Sequence, residues 1–126
     1  HLQRTLATIR DAGIEPGIAI NPASALCLLE DALPRADFVL VMSVNPGFGG
    51  QTFIRESLDR VRRLRELAGD RHLDISVDGG VDADNARVLA AACATTLVAG
   101  SSVFGAADRR RALTSLRAAA TAGVTS

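Results

Sequence analysis

Short apolar runs alternate with segments of helical period along the whole chain, and this alternation restricts the fold more than any other feature. Residues 2–12 (LQRTLATIRDA) put Leu2, Leu6 and Ile9 on one helical face, and Gly13 follows as a stop. GIAI (17–20) is a short apolar run closed by the turn pair Asn21-Pro22, and residues 23–33 (ASALCLLEDAL) carry a helical pattern that ends before Pro34. DFVLVMSV reads as a second strand. Beyond it Ile54, Leu58, Val61 and Leu64 recur at i, i+4, i+7 and i+10, with arginines on the opposite face. The second half repeats the scheme. LDISVDGG carries a strand, 83–92 a helix, TTLVAGSSVFG a strand ending in glycine, and 108–120 a last helix capped by Asp108. The order α-β-α-β-α-β-α-β-α, with continuous apolar strands, predicts an α/β protein in which four parallel strands are flanked by helices.

Composition narrows the function classes. The 126 residues make one domain at most, and 48% hydrophobic with 22% charged residues is ordinary for a globular protein. Fourteen basic residues balance fourteen acidic ones, so the chain lacks the electrostatic footprint of a nucleic-acid binder. The runs RVRRLR and DRRR are expected to be solvated helix faces. No apolar stretch approaches the roughly 20 residues that span a bilayer, and no signal-peptide pattern opens the chain, so no membrane partner and a cytoplasmic location are expected. The absence of methionine before His1 suggests that something has been removed. His1 and His72 have no partner at metal-ligand spacing, and Cys27 and Cys93, in apolar alanine-rich contexts, are expected to be buried thiols.

Chemistry-bearing residues gather at one edge of the predicted sheet. Three of the four strands end in a glycine-containing polar loop: NPGFGG after the second, DGG at the third, GS after the fourth. In α/β folds that C-terminal edge is where ligands bind. Each loop alone is equally well explained as a sharp strand-to-helix turn. Three together point to backbone N–H groups converging on one anion, with a helix N-terminus behind them. Neither the Walker pattern nor G-x-G-x-x-G is present, so a nucleotide has little support. Asp78 follows the apolar run ISV at the mouth of the sheet, where an aspartate can also serve as a turn-former or helix cap.

VLVMSVNPGFGGQTFI, ISVDGGVDADNA and LVAGSSVFG, preceded by GIAINPAS, resemble the ribulose-phosphate 3-epimerase family, in the right order from His1 to about Leu116. The resemblance implies a (β/α)8 TIM barrel of the ribulose-phosphate binding type, of which residues 1–126 would be the C-terminal half. It implies an isomerase that moves the proton on C3 of D-ribulose 5-phosphate to give D-xylulose 5-phosphate, in the pentose phosphate pathway. Gly47, Phe48, Gly49, Gly50, Gly79, Gly80, Gly100 and Ser101 would hold the phosphate of the sugar-phosphate substrate, and Met42 would line the pocket. Asp78 would be both an acid/base group and a ligand of a divalent metal ion (Fe, Zn, Mn or Co). A homo-oligomer is compatible with this reading. The other aspartate, two metal-binding histidines and a further aspartate or serine would belong to an N-terminal half, so the fragment alone is expected to be inactive. Cys93-Ala94-Thr95 stands where family members commonly have Gly-Ala-Asp. The alternatives are an allulose-phosphate epimerase or another phosphate-binding barrel enzyme, and a non-catalytic half-barrel that binds phosphorylated ligands.

Overall fold

A computed structural model describes residues 1–45, 47 and 49–125. Its sheet has four parallel strands in the order β1 (Gly17–Ile20), β2 (Phe38–Met42), β3 (Asp74–Asp78) and β4 (Thr96–Val98). The α-helices are α1 (Leu2–Asp11), α2 (Ser57–Ala68), α3 (Ala83–Ala91), the short α4 (Ser101–Phe104) and α5 (Arg109–Val124). Because side chains alternate across a strand, Val39 and Val41 of β2 and Ile75 and Val77 of β3 fall on one face. All four are fully buried and join Val61 and Leu64 of α2 and Leu89 of α3 in one core. The other face carries Phe38, Leu40 and Met42, with Asp74, Ser76 and Asp78 paired to them in register, and it is only partly buried.

Asp82 explains why α3 starts where it does. Its carboxylate accepts from the N–H groups of Asp84 and Asn85, while the Asn85 side chain accepts from the Asp82 N–H in return. Asp108 caps α5 by accepting from the Arg111 N–H, as the sequence predicts.

Residues 23–33 depart from the expected α-helix and form two 3₁₀ turns, Leu26–Leu29 and Leu33–Arg35. The Ser24 carbonyl, which an α-helix would give to the Leu28 N–H, accepts from Arg60, and the Leu28 N–H turns to Ala25 O instead. Pro34 further disfavours α geometry at Leu33. The run TTLVAGSSVFG also divides: only Thr96–Val98 is strand, and Ser101–Phe104 turns into α4, with Val103 in the core.

The cysteines correct a second expectation, because both Cys27 and Cys93 are exposed. Cys93 has φ 75°. It follows α3 in a Schellman arrangement, with its N–H on Ala90 O (2.9 Å) and the Ala94 N–H on Leu89 O (3.1 Å). The end of α1 makes the same pair of bonds, Gly13 N–H to Arg10 O and Ile14 N–H to Ile9 O, with glycine at φ 77°. Cys93 thus occupies a left-handed position that suits glycine, and its side chain is directed to solvent. Cys93→Gly is expected to stabilise the fold by about 1 kcal/mol through relief of this strain. Equilibrium denaturation of the two forms checks it, and an unchanged midpoint would show that the neighbouring turn already absorbs the strain.

Candidate active site

The strand ends assemble the site in the order that the parallel register dictates. Met42 and Asp78 are direct partners, as are Asp78 and Val98, so the last residues of β2, β3 and β4 stand side by side on one edge. A cleft of about 310 Å³ opens there, at the small end of the range for ligand pockets. Met42, Asp78 and the glycines 47, 49, 50, 79, 80 and 100 line it together with Ser101. The structure therefore brings the sequence-predicted residues to one place, except Phe48, which lies outside the described residues.

The glycines are not equivalent. Gly79 has φ 126°, and a Cβ there would stand 2.6 Å from Val44 Cγ2 and 2.8 Å from its backbone N. Gly80 has φ 65°, and a Cβ would stand 2.6 Å from the Phe53 N. Both are glycine because two chain segments pack backbone to backbone. Gly50 has φ 72°, which alone favours glycine. Gly49 differs: it lies outside the left-handed region, and a Cβ would meet no described residue within 4 Å. Among the described residues no packing or dihedral reason demands glycine at position 49, which lines the cleft. The N–H groups of Gly47, Gly49 and Gly50 make no hydrogen bond with a described residue, so they are available to an anion.

Helix N-termini contribute less than the sequence suggests. The start of α3, behind the DGG loop, is already occupied by the Asp82 carboxylate. The helix that begins at the cleft is the four-residue α4, preceded by Gly100. The Asp78 carboxylate makes no hydrogen bond or ion pair with a described residue, which leaves its oxygens open to a ligand.

Residues not singled out from sequence also contribute. Gln51 Nε2 donates to Asn45 O (2.6 Å) and so ties together the two feet of the glycine loop, and both residues line the cleft. Gln51 closes the run SVNPGFGGQ, but a polar residue at the end of a loop has no spacing signature that would reveal such a bond.

The model of the ribulose-phosphate 3-epimerase family matches residues 1–104. The chain belongs to that family. Ribulose-phosphate 3-epimerase 2 of Cupriavidus necator is 49% identical over 131 residues, covering 96% of this chain and 54% of the relative. The Synechocystis enzyme of that name is 46% identical, covering 93% and 52%, and the Serratia marcescens one 45% identical, covering 88% and 54%. The chain spans about half the length of the curated relatives it matches. The crystal structure of 3-hexulose-6-phosphate synthase from Salmonella typhimurium superposes with a TM-score of 0.69 at 18% identity, over 97% of this chain and 56% of that one. Four parallel strands with flanking helices are thus part of the family's (β/α)8 barrel, and the partly buried sheet face is the one that a closed barrel turns inward.

Proposed function

We propose that residues 1–126 form the C-terminal half of a ribulose-phosphate 3-epimerase, supplying its phosphate cradle and one of its two proton carriers. The observation that carries this reading is the placement of Asp78, with an unpartnered carboxylate, in the same cleft as the open backbone at Gly49. The substrate is taken from the relatives, which are ribulose-phosphate 3-epimerases.

The proton on C3 of ribulose 5-phosphate is acidic because it lies next to the C2 ketone. A carboxylate at one face removes it to leave an enediolate, and a second group at the opposite face returns a proton, which inverts the centre. Asp78 serves one face. The N–H groups of the glycine loops hold the phosphate, and anchoring that end fixes C3 at a set distance from the carboxylate. The second acid/base group would come from the other half of the barrel.

A divalent ion would stabilise negative charge on the substrate oxygens. Asp78 is the donor that this cleft offers to such an ion, and among the described residues no group of three His, Cys, Asp or Glu could hold a metal. The remaining ligands, like the second proton carrier, would belong to the other half. Among the described residues no helix is long and apolar enough to cross a membrane. We place the complete enzyme in the cytoplasm, acting on a sugar phosphate, with neither nucleic acid nor membrane as partner and with a homo-oligomer as an allowed state.

Gly49→Val tests the cradle most cleanly in the completed barrel, since Gly50 is already committed to glycine by its dihedral. Affinities for inorganic phosphate and for ribulose 5-phosphate are expected to fall together by at least about tenfold, the equivalent of one lost charge-assisted hydrogen bond. Calorimetric titration well below the melting temperature measures both. Unaltered affinities would return the glycine loop to the status of a turn.

A further inference from the structure

Ser43 is one of two buried polar residues among the described residues, with no exposed surface, and it stands one residue past β2. Its hydrogen bonds run in two directions. Its N–H donates to Asp78 O (2.8 Å), and its Oγ lies 2.6 Å from Gly79 O and 3.0 Å from Asp78 O. Its own carbonyl accepts from the Ile54 N–H (2.7 Å), where the chain leaves the glycine loop. One residue therefore clamps the end of β3 on one side and the exit of the glycine loop on the other.

The hydroxyl has one proton to give. Asp78 O already receives the Ser43 N–H, and Gly79 O is the nearer acceptor, so the proton goes to Gly79. In a trans peptide the C=O and the following N–H point in opposite directions, and the described residues contain no cis bond. Holding Asp78 O inward turns the Gly79 N–H outward, and holding Gly79 O inward does the same for the Gly80 N–H. Gly79 and Gly80 both line the cleft. At φ 126° and 65° these two residues have dihedral freedom that other residues lack, so their peptides need an external restraint.

We infer that Ser43 is a positioning residue for phosphate binding: its hydroxyl sets the Gly79–Gly80 peptide so that the Gly80 N–H faces the anion. This rests on the phosphate-cradle reading above. It concerns the binding end of the site and leaves the proton-transfer step to Asp78.

The test compares Ser43→Ala and Ser43→Thr with the unaltered completed barrel, using calorimetric titration of inorganic phosphate and steady-state kinetics with ribulose 5-phosphate. Ser43→Ala is expected to weaken inorganic phosphate and raise KM by about tenfold while kcat changes little, and Ser43→Thr, which keeps the hydroxyl, should recover most of the loss. A purely structural serine would lower the melting temperature and leave phosphate affinity and KM of the folded protein unchanged, which overturns the inference. If Ser43→Ala does not fold, Ser43→Cys, with a weak donor of similar shape, is read in the same way. Normal turnover in the unaltered barrel with undiminished phosphate binding in the alanine variant overturns the role of Ser43 and leaves the epimerase reading intact. Absent turnover in the unaltered barrel, with phosphate binding that still depends on Ser43, does the reverse. An unaltered barrel that binds no phosphate overturns both.

Discussion

Ribulose 5-phosphate incubated with residues 1–126 alone is expected to remain ribulose 5-phosphate, even with divalent metal supplied. Inversion at C3 needs a proton carrier on each face of the substrate, and one carboxylate at the end of β3 reaches one face. The ion has a similar difficulty, because one aspartate cannot hold it and the described residues offer no cluster of three ligands. The sheet edge supports the expectation independently. β1 and β4 each have one strand neighbour, and the face that carries Phe38, Leu40 and Met42 is only partly buried, so the cleft lacks the wall that would exclude water. A coupled assay for xylulose 5-phosphate measures the effect. Metal-dependent turnover by these residues alone, in the enzymatic range of roughly 1–10³ s⁻¹, would show that the second proton carrier lies within them.

The parallel sheet was legible in the sequence because its signal is long-range and redundant. Four apolar runs separated by helix-period segments leave little choice of topology, and β1, β2 and β3 fall on GIAI and within DFVLVMSV and LDISVDGG. The segment between Pro22 and Pro34 was not legible in this way. Its leucines recur at helical spacing, but its Ser24 and Leu33 carbonyls accept from arginines 36 and 38 residues away, which no local pattern reveals. The cysteines failed for a related reason. Cys93 sits among alanines that pack, yet it occupies the one left-handed position after α3, where the backbone turns the side chain outward.

The cleft divides along the same line. Asp78 and the glycine loops can be found from sequence because strand ends in a parallel sheet share an edge. What each glycine is for cannot be found, since Gly49 and Gly80 look alike in a string of letters. Only the packing shows that Gly80 abuts Phe53 whereas Gly49 meets no described residue and lines the cleft. Ser43 and Gln51 reach backbone carbonyls with their side chains, at sequence separations of 36 and 6 residues, and neither leaves a mark in composition or periodicity.

Asp78 carries the largest single-residue effect expected in the completed barrel. Asp78→Asn keeps the shape of the side chain and its place beside Met42 and Val98, but an amide neither accepts nor returns a proton at neutral pH. Loss of one acid/base group costs about 10²–10⁴-fold in rate, and here the same change also removes an anionic oxygen from any bound ion. The proposed phosphate cradle does not use this carboxylate, so binding of inorganic phosphate should be preserved. The decisive measurement is therefore paired on one preparation: kcat for ribulose 5-phosphate and calorimetric affinity for inorganic phosphate, with Asp78→Asn against the unaltered enzyme. The expected result is a kcat lower by at least about a hundredfold with phosphate affinity unchanged. A variant that retains most of its turnover would contradict the assignment of Asp78 as a proton carrier, and with it the claim that this cleft is half of an epimerase active site.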